Sequence, residues 1–154
     1  MCKLSWSISG LLLAALLVMG YKFIVVGSVA PASDGREALL LEAGERDLIL
    51  SEMRVFLASV QAITDGLSNK EMGKVVDAAR TVGAAAQKGV PSSLVGKLPL
   101  SFKKLGFDTH RKFDQLALDA EQLGDPEHTL KQLAELMNNC VACHASYRMD
   151  AVKQ

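Results

Sequence analysis

Residues 126–147, PEHTLKQLAELMNNCVACHASY, predict a helix that carries two cysteines and a histidine close to the end of the chain. Along this stretch, apolar and reactive residues recur at spacings of three and four, which is the repeat of one helix face. The predicted face consists of Leu130, Leu133, Met137, Cys140, His144 and Tyr147. We therefore expect any group bound by the cysteines and the histidine to lie in or against the core of the domain.

Three further segments upstream show the same helical periodicity. The first has an apolar seam along a helix of roughly 20 residues, formed by Ile49, Met53, Phe56, Val60, Ile63 and Leu67. The second presents mostly small residues, namely Met72, Val75, Val76, Ala79, Val82 and Ala86. The third extends from about Leu100 to Leu123, with an inward face of Phe102, Leu105, Phe113, Leu116, Ala120 and Leu123. Together the four helices predict an all-α fold, an antiparallel four-helix bundle, over residues 44–154.

The boundary between the last two helices is marked by the stretch LGDP. Gly124 suits the end of one helix, Asp125 can cap the start of the next, and Pro126 fits its first position. The segment 88–99 is rich in proline and glycine, and we expect it to be the one longer connection between helices.

Residues 1–30 predict a membrane anchor. The stretch from Ile8 to Ala30 contains one charged residue, Lys22, and as a helix it would be roughly 34 Å long, enough to cross a hydrocarbon core of about 30 Å. Trp6 and Tyr21 are suited to the two membrane interfaces.

A cleavable signal peptide is the alternative interpretation of this segment. The apolar stretch is longer than the usual ~7–15 residues of such peptides, which favours an uncleaved anchor. Lys3 marks the inner side of the membrane, so the remainder of the chain should face outward. Residues 31–43, small and polar at their start, are predicted to be a linker.

Composition narrows the range of functions. The 154-residue chain has 17 basic and 17 acidic residues, so it has no net charge with which to attract nucleic acid or a charged membrane surface. Aromatic residues make up only 5% of the chain, which favours packed helices over a sheet. The sequence shows no nucleophile–base pair, phosphate-binding loop or paired carboxylates, and we do not expect an enzyme.

The sequence CVACH, residues 140–144, is the pattern by which c-type haem is attached to proteins. Two thiols at positions i and i+3 of a helix can form thioether bonds to the haem vinyl groups, and the adjacent imidazole can bind the iron. A structural zinc site would need four ligands, but His110, His128 and Cys2 are single residues far apart in the sequence. A thioredoxin-like site would need a βαβ context, and a disulfide within one helix turn would be strained.

With CVACHASYR ending its fourth predicted helix, the chain resembles the class II c-type cytochromes, the cytochrome c′ group. The resemblance covers roughly residues 40–150, and it includes the aromatic residue and the arginine after the motif, Tyr147 and Arg148. It implies one covalent haem c with His144 as an axial iron ligand, and a first helix that covers the opposite haem face. The predicted anchor is a departure, because the familiar members of the group are soluble periplasmic proteins.

The function that the resemblance implies depends on which residue of that first helix faces the haem iron opposite His144. A methionine ligand would give a six-coordinate electron carrier, and Met53 is the candidate, although its position equally suits packing. Met72 and Met137 are predicted to be core residues. His110 is predicted to lie at the surface or to contact a haem propionate. Tyr147 is expected to pack against the porphyrin edge, and possible propionate partners are Arg54, Arg148 and Lys104.

We therefore expect a cytochrome anchored in a bacterial inner membrane, with its haem domain in the periplasm, that carries single electrons to redox partners. One alternative is a five-coordinate protein that binds NO or CO beneath a wall of Phe56, Leu57 and Met53. Another is an accessory subunit of a larger membrane complex, in which Lys22 pairs with a carboxylate of that complex. A homodimer is compatible with each of these hypotheses.

Overall fold

The structure is a computed structural model that describes residues 2–152, and the side chains of residues 6–152. It is mostly helical, and the all-α class predicted from the sequence is confirmed. The helices are α1 (Cys2–Tyr21), α2 (Ala43–Ser68), α3 (Met72–Thr81), α4 (Ser92–Lys97), α5 (Leu100–Leu123) and α6 (Pro126–Ser146). Three short strands accompany them: β1 (Val29–Pro31), β2 (Glu37–Leu41) and β3 (Tyr147–Ala151).

Helices α2, α3, α5 and α6 surround the larger hydrophobic core, each packing on the next in that order. The contacts that would close this ring, between α6 and α2, are sparse. The buried residues of this core are Ile63, Val75, Val76, Ala79, Val82, Phe113, Leu116, Ala117, Ala120, Leu133 and Leu136. Gly66 allows α2 and α3 to approach closely, because a Cβ at this position would lie 2.9 Å from Val75 Cγ2.

The segment 31–43 is not the linker that we predicted. It contains β2, which pairs antiparallel with β1 and parallel with β3, so that β2 is the central strand of a three-stranded sheet. Leu39 and Leu41 of β2 are fully buried in a second hydrophobic cluster, together with Ile49, Leu94, Leu98, Phe102 and Tyr147. The prediction failed because the apolar residues at 38–41 were too few to indicate a strand without the pairing partner at 147–151.

Two helix predictions also need correction. The second predicted helix ends at Thr81, and its continuation is a short 3₁₀ helix, Ala84–Gln87, in which Ala86 is exposed. The connection 88–99 contains the helix α4, whose Leu94 is buried in the second cluster. In both regions glycines interrupt the pattern from which we predicted the structure.

The boundary between α5 and α6 is confirmed in detail. Gly124 has the left-handed backbone conformation, with φ of 60°, that commonly ends a helix. The Asp125 side chain accepts hydrogen bonds from the backbone N–H groups of Glu127 and His128, which caps the start of α6. Pro126 occupies the first turn of that helix.

Helix α1 continues through a π-helical segment, Lys22–Val26, and the stretch Trp6–Val26 is long and apolar enough to cross a membrane. The helix ends earlier than predicted, because Gly27 turns the chain and Val29 and Ala30 lie in β1. Trp6 and Tyr21, the predicted interface residues, are exposed. The side chain of Lys3 and the ends of the predicted domains, at residues 1, 153 and 154, lie outside the described part.

Candidate functional site

Helix α6 buries a face that differs from the predicted one. Its core-facing residues recur at spacings of four and three, and they are Thr129, Leu133, Leu136, Cys140, Cys143 and Tyr147. Leu130 and Met137, which we expected in the core, are exposed, and so is His144. Both cysteines of the motif are therefore directed towards the core, and the histidine lies on the adjacent, solvent-exposed flank of the helix.

The two cysteine thiols are free and partly buried. Cys140 packs against the larger core and Cys143 against the second cluster, so the motif lies where the two clusters meet. Burial raises the pKa of the Cys140 thiol. Burial and the neighbouring Cys140 raise the pKa of the Cys143 thiol to about 11. Both thiols are therefore protonated at neutral pH, and each remains available to form a covalent bond.

Asn139, directly before the motif, ties α6 to α5. Its side-chain nitrogen donates to Asp108 Oδ2 at 2.9 Å and to Thr109 Oγ1 at 3.3 Å, and its oxygen accepts from Lys112 Nζ at 3.1 Å. Hydrogen bonds, of which the one from Asn139 has the largest effect, lower the pKa of Asp108 to about 2. These bonds fix the rotation of α6 beside the cysteines. Sequence reasoning missed Asn139, because nothing in the local pattern identified its partners on another helix.

Two apolar stripes border the sparsely packed side of the helix ring. On α6 the stripe comprises Leu130, Met137 and Val141, with His144 next to it, on the flank opposite to Asn139 and hence away from α5. On α2 it comprises Leu50, Met53, Leu57 and Val60, away from the flank where Gly66 meets α3. Since α3 and α5 cover the other flanks, both stripes adjoin the gap between α2 and α6. We refer to this gap as the α2–α6 groove.

Several exposed apolar side chains border the α2–α6 groove. Leu57 is 71% exposed and Val141 is 67% exposed, and Met137 is also accessible. Large apolar side chains at such levels of exposure cost free energy in water, so a groove that contains several of them can gain stability by binding an apolar ligand.

Met53 is partly buried and packs against the second cluster, as Cys143 does. The candidate iron ligand and one of the candidate haem-attaching cysteines therefore border the same apolar cluster. Met72 packs against the larger core, as predicted, whereas Met137 is exposed and its predicted core position is wrong.

His110 is a core residue, and the prediction that it lies at the surface is wrong. It is 3% exposed, its Nδ1 lies 2.7 Å from the Val82 carbonyl oxygen, and its Nε2 lies 3.3 Å from Glu52 Oε1. Its ring packs against Phe56 with centroids 4.9 Å apart. Because both ring nitrogens have partners, His110 is engaged in holding α5 against α2. The polar neighbours Thr109 and Arg111 concealed this role in the sequence.

The three cations proposed for haem propionates occupy different settings. Arg148 forms ion pairs with Asp150 at 2.8 Å and with Asp34 at 3.3 Å, whereas Arg54 and Lys104 are exposed. Arg36, which sequence analysis did not single out, donates to the carbonyl oxygens of His144 and Tyr147, both at 3.3 Å. These bonds connect the β1–β2 turn with the end of α6, directly beside the histidine of the motif.

Tyr147 is buried and begins β3. Its ring meets Phe102 edge-on with centroids 5.3 Å apart, and its hydroxyl lies 2.5 Å from Ser101 Oγ. It belongs to the cluster against which Cys143 packs, so its position next to the motif is determined by α5 and β2.

Among the side chains of residues 6–152, no three from histidine, cysteine, aspartate or glutamate are grouped so that they could hold a metal ion directly. A surface concavity of about 310 Å³ lies at the β1–β2 turn and is lined in part by Arg36 and Glu37. Comparisons with protein-family models, curated proteins and solved structures find no match for this chain. A functional proposal must therefore rest on the motif and on the groove beside it.

Proposed function

We propose that this protein is a c-type cytochrome of the class II kind, with one covalent haem c, that carries single electrons. The observation that carries the proposal is the arrangement of CVACH. Two free, partly buried thiols lie one helical turn apart on the core face of α6, and His144 follows on the flank that borders an apolar groove. On this proposal α2, α3, α5 and α6 form the four-helix bundle around the haem.

The residues of the α2–α6 groove suit a porphyrin in chemistry and position. Cys140 and Cys143 would hold it through thioether bonds, and His144 would bind its iron. The exposed side chains of Leu57, Met137 and Val141 would be covered by its flat apolar surface. Covering them is favourable at about 25 cal/mol per Å² of apolar surface removed from water.

Haem bound in this groove would supply one-electron exchange at its iron. The protein would keep water away from it with the second cluster and with the apolar stripe of α2. Met53 lies on that stripe and is the residue that we propose as the second axial ligand. A thioether ligand raises the reduction potential of haem iron, which suits an electron carrier.

The first test is whether haem is attached at all. The full chain, produced in bacteria that can mature c-type cytochromes, should have the mass of the polypeptide plus one haem after denaturation. It should also show the absorption of a c-type haem in alkaline pyridine. Cys140→Ser with Cys143→Ser should abolish attachment. A mass equal to that of the bare polypeptide in these cells would refute the proposal.

The second test concerns Met53. With methionine ligation, the oxidised protein should show a low-spin spectrum with a weak sulfur-to-iron band near the red end, and Met53→Ala should remove that band and allow CO to bind the reduced form. Met72→Ala is the matched control, because Met72 also packs against a core but lies on α3. A high-spin spectrum and rapid CO binding in the unchanged protein would refute the proposal of an electron carrier and support the gas-binding alternative.

We further propose that Trp6–Val26 anchors the cytochrome in a bacterial inner membrane with the haem domain in the periplasm. The length and hydropathy of this stretch, 21 residues with a mean hydropathy of 2.1, support the anchor. Haem attachment itself would support the location, because c-type cytochromes are matured on the outer side of that membrane. Fractionation of intact cells and protease treatment of spheroplasts test both points.

A further inference from the structure

The membrane helix is fastened directly to the globular part of the chain. Two residues after Val26, the Ser28 N–H donates to the Lys97 carbonyl oxygen at 2.6 Å, and Lys103 Nζ donates to the Phe23 carbonyl oxygen at 3.3 Å. The Leu40 N–H also donates to the Ser28 carbonyl oxygen at 2.9 Å, which extends the attachment to β2.

Gly27 makes this attachment possible. It is buried, with φ of 71°, and a Cβ at this position would lie 2.5 Å from the Lys97 carbonyl oxygen and 2.6 Å from the Pro99 nitrogen. Both are backbone atoms, which cannot move aside as a side chain would. We call the group of Gly27, Ser28, Lys97 and Pro99 the anchor seat.

The anchor seat lies close to the CVACH motif. Pro99 immediately precedes α5, and Ser101 in the first turn of α5 contacts the Tyr147 hydroxyl at 2.5 Å. His144 is three residues before Tyr147, so the motif lies at the same end of α5 as the anchor seat. The opposite end of α5, which has 24 residues, is about 36 Å away.

From this geometry we propose that the redox partner of the protein is an integral membrane protein whose redox centre lies at the membrane surface. This inference rests on the proposed function. The redox centre of a partner confined to the same membrane lies at a fixed distance from the membrane surface. An anchor that holds the haem site rigidly near the end of the membrane span keeps the site at a matching distance, so that encounters with the partner lead to electron transfer. A carrier that served a soluble partner would gain nothing from a fixed height and would be served equally by a flexible tether. One electron moves from the partner's centre to the haem iron, and no bond is made or broken.

The first experiment measures the position of the motif without haem. In the full chain with Cys2→Ser, Cys140→Ser and Cys143→Ser, a fluorophore is attached to Ala145→Cys or, separately, to Gln122→Cys, both exposed positions. In vesicles with an acceptor dye on the lipid headgroups, energy transfer should be strong from position 145 and weak from position 122. Equal transfer from the two positions would overturn the proposal.

Two variants release the anchor seat. Gly27→Ala introduces the backbone clash, and Gly35→Ala is its control, because Gly35 has a similar φ of 83° but nothing within 4 Å of its missing Cβ. An eight-residue Gly-Ser insertion after Val26, with a root-mean-square span of roughly 16 Å, frees the anchor without touching the domain. Energy transfer from position 145 should fall in Gly27→Ala and in the insertion variant, and remain unchanged in Gly35→Ala.

The second experiment measures electron transfer in the haem-loaded chain. A ruthenium bipyridyl complex on a lipid headgroup, excited by a laser flash, gives one electron to the oxidised haem, and a sacrificial amine restores the complex. We expect the insertion after Val26 to slow this reduction severalfold and to leave reduction by a water-soluble ruthenium complex unchanged. Equal slowing with both donors, or with neither, would overturn the inference. A chain without haem would fail the earlier mass test, while the fluorescence experiment would still decide the role of the anchor seat.

Discussion

The pairing of His110 with Glu52 predicts a dependence of stability on pH that one substitution should alter. Burial by itself lowers the pKa of His110, but the hydrogen bond and charge of Glu52, with the carbonyl groups of Val82 and Gly83, outweigh it. The net result is a pKa above the ordinary 6.5. A folded-state pKa above the unfolded value favours the protonated folded protein. The stabilisation is therefore complete below the unfolded pKa and is lost as pH rises through the folded pKa.

Glu52→Gln removes the charge and keeps a side chain of similar shape that can still accept a hydrogen bond. Burial of the His110 ring, which is 3% exposed, should then dominate and lower its folded pKa. At pH 6 we expect a loss of about 1–3 kcal/mol, the usual cost of weakening a buried hydrogen bond to a charged group. Between pH 5.5 and pH 8.5 (roughly one unit below to two above the ordinary histidine pKa), the fall in stability expected for the unchanged protein should disappear or reverse.

The measurement is thermal unfolding of the full chain in detergent across that pH range, together with NMR titration of the His110 ring. Glu135→Gln is the matched control, because Glu135 is exposed on α6. It should leave both the midpoint and the pH dependence unchanged. An unaltered pH dependence in Glu52→Gln, or a His110 resonance that titrates identically in the two proteins, would refute the reasoning.

Two further predictions concern the immediate surroundings of the motif. Asn139→Ala should destabilise the fold by about 1–2 kcal/mol, because it leaves Asp108 and Lys112 without a shared partner. It should also raise the pKa of Asp108, which NMR titration of the carboxylate measures. An unchanged Asp108 titration would contradict this prediction. In the haem-free protein, Cys143 should alkylate slowly at pH 8, because a pKa of about 11 instead of 9 leaves roughly 100-fold less thiolate. The higher intrinsic nucleophilicity of its thiolate offsets part of this loss. We therefore expect Cys143 to alkylate roughly tenfold more slowly in the folded protein than in the protein unfolded in urea. Equal alkylation rates in the folded and unfolded proteins would contradict the burial of Cys143.

Local sequence patterns were sufficient for α5 and α6 and for recognising the spacing of the motif. The bounds of α5 and α6 were predicted almost to the residue, because Gly124, Asp125 and Pro126 act through bonds to their nearest neighbours in the chain. The CVACH spacing likewise depends only on residues within one turn of helix. The apolar stretch before Gly27 indicated a membrane-spanning helix by length and composition alone.

The tertiary structure decided which flank of each helix is buried and which segments pair. On α6 the predicted face included His144, but contacts with α5 through Asn139 rotate the helix so that Cys143 is directed inward. The sheet joins β2 to β3, about 110 residues further along the chain, and no local pattern identifies a strand whose partner is so distant. An amphipathic sequence determines that a helix has an apolar side, but the neighbouring elements determine how much of that side is covered. In this protein they leave uncovered the groove in which we propose that haem binds.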